Sequence, residues 1–491
     1  VNSSEPAAVR VSSFANDEET ATTGRGFASR RSVYAILVAV SAGMMLARVA
    51  RVDSSDPKSK TPFLSANDRS RWATIRALGD EGTYVLDNVI FDKNGNRVRG
   101  WHTIDLVRHR GADGQEHYYS SKPTLLTTLL AGEYWIVKQI TGATLAEQPG
   151  YVSRIMLVLT NVLPMVAALV VLAGLIDRYG TTDWGRIFAV AAACFGTFLT
   201  TFSVTLNNHT VAAISLVAAI AVTLPIFADD RREWWRFAAA GLSFGFLAAN
   251  ELPALSILVF VGIALAWKSP PRTLVAFLPS AAAIAAAALI TNYIAHGDWR
   301  TPYAHRSPGD NWYDYPGSYW LPGAVRGIDV GEASPLVYAF NCLVGHHGLF
   351  SLTPIWLLSA AGCLMWIANR ERSPACDSRN ATEGVPYGGR LLAGTALITT
   401  LVILGFYLSR PQLDRNYGGG TCCLRWLIWL TPLWLLTLLP AADWLSKSRL
   451  GRAVAIGLLV VSVFSAAYAA DNPWSHPWIF DYWRSMGWID Y

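Results

Sequence analysis

Apolar runs close to the length of a bilayer crossing recur from residue 33 to residue 470, and no other feature restricts the fold as much. A helix rises about 1.5 Å per residue, so roughly 20 apolar residues cross the hydrocarbon of a membrane. The runs are 33–50, 153–176, 187–206, 209–228, 237–249 with 253–267, 273–296, 348–368, 391–408, 426–444 and 453–470. Only 15% of the residues are charged against 52% hydrophobic, a balance that sets soluble globular classes aside. The expected fold is an all-α polytopic membrane protein of about eleven transmembrane helices.

One further segment, 124–141, is apolar but carries Glu133 and Lys138. Each would cost on the order of 3 kcal/mol at the bilayer centre. The positive-inside rule decides its placement. If 124–141 lies at the interface, then Arg30/Arg31, Arg178/Arg186, Arg231/Arg232/Arg236, Lys268/Arg272, Arg370/Arg372/Arg379/Arg390 and Lys447/Arg449/Arg452 all fall on one side. If it crosses, every group after Arg31 changes side. The segment is therefore expected to be an interfacial helix, with the N-terminus cytoplasmic and the C-terminus outside. Residues 1–29, polar and without periodicity, are expected to be a disordered cytoplasmic tail, and the first run an uncleaved signal anchor.

The membrane domain 30–491 then carries a first extracytoplasmic loop at 51–152, a second at 297–347 and an extracytoplasmic tail at 471–491. Glu251 and Pro253 break the hairpin between two short spans. The net charge of +5 includes no basic run of the kind that binds nucleic acid, so lipid headgroups are the expected partner of the cations. Six cysteines show neither metal spacing nor a disulfide framework. A bridge from Cys342 to Cys422 or Cys423 stays open. The adjacent His346 and His347 suit no metal pair, so no metal site is expected, and a divalent requirement is left open.

Two places in the first loop carry the chemistry-bearing residues. Asp68, Arg71 and Trp72 stand at i, i+3 and i+4, one face of a helix, although Asn67 or Asp68 also serves as an ordinary N-cap. Tyr118-Tyr119-Ser120-Ser121-Lys122-Pro123 forms a turn into the interfacial segment.

Asp68-x-x-Arg71-Trp72-Ala73, then Gly82-Thr83-Tyr84, then Ser121-Lys122-Pro123-Thr124-Leu125 resembles the first outer loop of the GT-C membrane glycosyltransferases. The likeness is to the aminoarabinose and protein O-mannosyl transferases that use polyprenyl-phosphate sugars. Gly418-Gly419-Gly420 with Arg425-Trp426 is similar to the Gly-Gly and Arg-Tyr element before a late span in such proteins. His347-Gly348-Leu349-Phe350-Ser351 with Pro354 is similar to the start of another. The chain departs from the pattern where Arg69 stands for a second acid and Ser121 for the glutamate before the lysine. An alternative register places the acid at Asp80 or Glu81.

The resemblance implies a sugar transfer with inversion from a polyprenyl phosphate to an extracytoplasmic lipid, glycan or protein in a plasma (inner) membrane. The lipid-linked sugar is a co-substrate, and no other cofactor is implied. The leaving group is a stable anion that needs cations, whereas the acceptor hydroxyl needs one base. Asp68 is expected as that base, and Lys122 with Arg425 as the phosphate anchors. Arg71, Trp72, Tyr119, His209, Glu251 and His347 are the expected substrate contacts. Two other classes remain: a transporter or flippase of a lipid-linked sugar, and a non-catalytic protein that keeps the fold.

Overall fold

The computed structural model describes residues 9–54, 60–369 and 388–491, with side chains from Ser29 onward. Arg370, Arg372, Cys376 and Arg379 lie outside the described residues.

Helix α1 (Val9–Arg51) begins inside the stretch expected to be a disordered tail. Tyr34, Val38, Ser41, Met45 and Val49 fall at steps of three and four residues and are buried, while Ile36, Val40 and Leu46 on the opposite side are exposed. An apolar residue on the outside of a helix bundle is at rest only in lipid, so the pattern belongs to a membrane span. Among the described residues six helices are long and apolar enough to cross: Ser29–Arg51, Pro149–Tyr179, Asn208–Ala228, Pro270–His296, Gly389–Leu408 and Arg449–Tyr468. Arg425–Thr437 and Leu439–Leu445, bent by 45°, make a seventh if counted as one.

The expected eleven runs all contain helix, but several are interrupted. The run 187–206 is a helix over Asp183–Phe195 that stops at Gly196 and resumes as a 3-10 turn over Thr201–Val204. Trp234–Asn250 ends at Glu251, ahead of Pro253, and the next apolar helix covers only Leu252–Lys268. The run 348–368 divides at Thr353-Pro354 and leaves Trp356–Ala368. Proline without an N–H and glycine without a Cβ account for these breaks.

Helix α2 (Ala66–Arg76), strands β1 (Leu106–Arg110) and β2 (Glu116–Ser120), and helix α3 (Thr124–Thr141) form the first loop. In α3, Leu126, Leu130, Tyr134 and Val137 are buried, whereas Leu129, Trp135, Ile136 and Ile140 face outward. Asp80 fastens α3 to the end of α2, accepting from Tyr134 Oη and Lys138 Nζ, both at 2.8 Å. Glu81 accepts from Asn88 Nδ2 at 3.0 Å. The two acids of the alternative register are thus structural ties.

The two ends of the bundle differ in chemistry. At one end basic residues meet aspartates: Arg30 with Asp177 and Asp183, Arg178 with Asp229, and Lys268 with Asp230. The two long loops gather at the other. Trp320 Nε1 donates to Ile104 O at 2.9 Å, Arg108 N donates to Trp312 O at 2.8 Å, and Arg51 pairs with Asp471 at 2.6 Å. All described cysteines are free, so no bridge joins Cys342 to Cys422 or Cys423.

Candidate functional site

Ser65 caps α2, and Asp68 completes a capping box. Asp68 Oδ1 accepts from Ser65 N at 2.9 Å, and Oδ2 accepts from Leu64 N at 2.8 Å and Thr205 Oγ1 at 2.7 Å. The residue has no exposed surface. Burial pushes its carboxyl above the ordinary aspartate range, against the hydrogen bonds from Thr205, Ser65 and Leu64 that favour the ion. The N-cap is thus Ser65, not Asn67 or Asp68 as the sequence suggests, and Asp68 ties down the start of α2 from the third helical position. No ion pair joins it to Lys122 among the described residues.

The carboxylate that meets Lys122 is Asp105. Its Oδ2 lies 2.9 Å from Lys122 Nζ, which also donates to Tyr303 Oη at 3.3 Å. The β-hairpin dictates this meeting. Leu106 pairs with Ser120 at its open end, so Asp105 and Lys122 flank the same register position. Ser70 of α2 pins that end, with Oγ donating to Asp105 O at 2.7 Å and touching Ser120 Oγ at 2.6 Å.

One turn beyond Asp68, Arg71 is buried and donates to Asn208 Oδ1 at 2.7 Å and to Asn67 O at 3.2 Å. Burial lowers its pKa, and Arg425 lowers it further, while Tyr303 and Asp105 oppose them. Asn208 and His209 open the helix Asn208–Ala228, but its cap is Asn207, which accepts from Thr210 N at 2.8 Å. His209 is thus released from capping. Its Nδ1 bonds Glu251 Oε1, and its Nε2 faces Arg425 Nη1 at 3.2 Å. A guanidinium only donates, so Nε2 accepts, the proton sits on Nδ1, and the imidazole is neutral. Glu251 Oε1 also accepts from Asn208 Nδ2 at 2.7 Å.

Arg425 is held from its other side by the glycine turn. Its Nε donates to Gly418 O at 2.9 Å, and its guanidinium lies 5.1 Å from the Trp474 ring centroid. Gly418 has φ of +97°, and a Cβ there would come within 2.8 Å of Arg425 Nε, so both conformation and space require glycine. A Cβ on Gly419 would meet Asp329 Oδ1 at 3.2 Å, which puts that carboxylate beside the same turn. Burial raises the Asp329 pKa. The hydrogen bond from Tyr319 Oη at 3.0 Å opposes this, the charge of Asp105 adds to it, and Arg425 opposes it.

Three cations, Arg71, Lys122 and Arg425, and three carboxylates, Asp105, Glu251 and Asp329, thereby converge from five separate stretches of chain. Trp474 Nε1 donates to Thr205 Oγ1 at 3.0 Å and Thr205 to Asp68, which links the tail back to α2. Among the expected substrate contacts, Trp72 is buried and stacks on Phe63 at 5.5 Å, as part of the core. Tyr119 stacks on His109 at 4.2 Å in the seam between the loops. His347 is fully buried against Tyr417 and His346. Bulk and flat faces suit these three to packing, and among the described residues none reaches the charged cluster by a hydrogen bond. Asp105 and Asp329 are members that no sequence motif marks, whereas Tyr303 is one of the aromatics of the loop 297–347 that the sequence already offers as faces for a sugar. No group of three or more His, Cys, Asp or Glu among the described residues stands close enough to hold a metal ion.

No family model matches the chain, and neither does any curated protein. Solved structures do. The archaeal oligosaccharyltransferase AglB of Archaeoglobus fulgidus, in complex with an inhibitory peptide and a dolichol-phosphate, is similar over 90% of this chain and 56% of its own, at 13% identity and a TM-score of 0.44. The same enzyme tethered to an acceptor peptide is similar over 90% and 55%, at 14% identity and a TM-score of 0.45. ArnT of Cupriavidus metallidurans bound to undecaprenyl phosphate is similar over 90% and 76%, at 11% identity and a TM-score of 0.38. The chain thus spans about half the length of the archaeal enzyme. Identities of 11–14% and TM-scores below 0.5 make this a distant likeness of shape.

Proposed function

We propose that the chain is a membrane glycosyltransferase that moves a sugar from a polyprenyl phosphate to a hydroxyl on an extracytoplasmic acceptor. The observation that carries this reading is the Asp105–Lys122 pair, set beside two further buried or half-buried cations, Arg71 and Arg425, at the loop end of the bundle. Three cations in one place suit a phosphate that gains charge as its bond to sugar breaks. Polyprenyl phosphates are also the lipids held in two of the similar structures.

In this reading the acceptor oxygen bonds to the anomeric carbon as the carbon–oxygen bond to phosphate breaks, inverting that carbon. The electron pair leaves on the polyprenyl phosphate, and the hydroxyl proton passes to a carboxylate. Lys122 and Arg425 hold the phosphate, and Arg71 contributes charge from beneath. Asp105 is the proposed base, because it faces these cations, whereas both oxygens of Asp68 are committed inside the fold.

Detergent-purified protein and a panel of labelled polyprenyl-phosphate sugars test the assignment. Asp105→Asn is expected to lower transfer by roughly 10²- to 10⁴-fold while donor binding persists. Asp68→Asn is expected to lower thermal stability and to leave transfer per folded molecule nearly unchanged. The reverse result returns the base to Asp68. Failure of every donor with the unsubstituted protein removes the reading.

A further inference from the structure

A cavity of about 730 Å³ lies next to the charged cluster but outside it. The 3-10 turn Gly327–Val330 separates the two, with Gly327 and Val330 in the cavity wall and Asp329 turned toward Tyr319. The volume falls within the range of small-ligand sites, about 300–1,000 Å³.

The cavity walls are of two kinds. Trp483 and Trp488, with ring centroids 6.3 Å apart and planes inclined by 56°, supply flat apolar faces. Trp488 is 62% exposed, which leaves its indole open to a ligand. The polar part of the lining is Glu332, Asn341, Asp490 and Tyr491. Tyr491 Oη spends its proton on Glu332 Oε2 at 3.2 Å. Asn341 is 4% exposed, and its Nδ2 is used on Tyr417 Oη at 3.1 Å, while its Oδ1 has no partner. The carboxylates of Glu332 and Asp490 enter no ion pair among the described residues, and no Lys or Arg lines the cavity. This polar wall accepts hydrogen bonds and repels anions. It is also stiff, because Glu332 N donates to Arg415 O at 2.9 Å and Arg415 Nη1 donates back to Ala333 O at 2.9 Å.

We infer that this cavity binds a neutral saccharide, with hydroxyls donating to the carboxylates and to Asn341 and the apolar faces of the sugar rings resting on the two indoles. A lone ammonium would satisfy the acids but leave most of the volume and both indole faces unused. In calling this saccharide the acceptor of transfer, the inference rests on the function proposed above, since Asp329 brings the cavity wall to the charged cluster.

Binding is measured without turnover, on the full chain in nanodiscs, by saturation-transfer NMR. The probes are a neutral hexose trisaccharide, the same trisaccharide bearing a uronic acid, and an octalysine peptide. The neutral trisaccharide is expected to bind, the acidic one to bind at least about tenfold more weakly, and Trp488→Ala to weaken the neutral one about tenfold or more. Trp267→Ala, at a residue 92% exposed elsewhere on the surface, serves as the folded control and is expected to change nothing. Absence of trisaccharide binding, binding unchanged in Trp488→Ala, or binding of octalysine alone overturns the saccharide site. If the trisaccharide binds through Trp488 but no lipid-linked donor is ever consumed, the site stands and the transferase reading falls. If transfer proceeds in Trp488→Ala with an unchanged KM for acceptor, the role as acceptor site falls.

Discussion

Lys122 Nζ lies 2.9 Å from a carboxylate oxygen of Asp105, a residue on the far side of a β-hairpin, and both side chains are mostly buried. A buried pair is most sensitive to loss of one partner, since the survivor keeps its charge without compensation. Lys122→Met is expected to cost about 3 kcal/mol or more of stability. The double variant Lys122→Met/Asp105→Asn should recover most of that loss in thermal unfolding and none of the transfer activity. Equal melting temperatures for the two variants would mean that the pair is not coupled in this way.

Glu251 touches no proposed substrate atom; it acts through His209, whose Nδ1–H it accepts, and through Asn208, which binds Arg71. Hydrogen bonds to charged groups contribute roughly 1.5–3 kcal/mol each. Glu251→Ala is expected to weaken binding of a polyprenyl phosphate by about ten- to a hundredfold through misplacement of Arg425. Nitrogen-15 NMR of labelled histidine provides a second readout: His209 should be neutral with its proton on Nδ1, and Arg425→Leu should release that tautomer.

His117 supports the hairpin in a pH-dependent way. Its Nδ1 lies 2.7 Å from Asp87 and its Nε2 2.9 Å from Asp113. The hydrogen bonds to Asp87 and Asp113 raise its pKa above the ordinary histidine value. A histidine with a raised folded pKa contributes stability that is full below its unfolded value, about 6.5, and lost as pH rises through the folded value. Amide hydrogen exchange in Glu116–Ser120, corrected for intrinsic rates, should therefore show less protection above that transition than below it. His117→Gln should remove the difference.

Packing of the bent late segment depends on Gly362. A Cβ there would come within 1.9 Å of Thr437 O, a backbone atom that cannot step aside. Gly362→Ala is expected to destabilise by about 1–3 kcal/mol or to prevent folding. Gly457→Ala, in the helix Arg449–Tyr468 with no atom near the added methyl, is expected to be neutral or stabilising by up to about 1 kcal/mol in thermal unfolding.

The helical membrane architecture was legible because hydropathy is summed over whole segments and survives local irregularity. The break at Glu251 and Pro253 was visible in the sequence, whereas those at Gly196 and Thr353 were harder to read as interruptions of a span, since a single residue barely alters a window average. At the site, the sequence identified Lys122, Arg71, Arg425, His209 and Glu251 as chemistry-bearing residues, and the structure connects them. Asp105 was invisible because its position depends on the pairing of Leu106 with Ser120, a contact across the hairpin that leaves no motif. Asp68 attracted attention by residue type and neighbours; the bonds it accepts from Leu64 and Ser65 are local to the helix start, and only the one from Thr205 follows from three-dimensional closure. Trp72, Tyr119 and His347 show that aromatic identity alone does not separate a binding face from a packed one.

Asp105 and Lys122 lie one and two residues past the last pair of the hairpin, Leu106 with Ser120, so sliding β1 past β2 by a single residue would displace Asp105 from Lys122. Membrane insertion of the hydrophobic helices cannot by itself create the cationic centre; the water-facing hairpin must first settle into one register. A chain already embedded but with its hairpin out of register would lack the contact between Asp105 and Lys122.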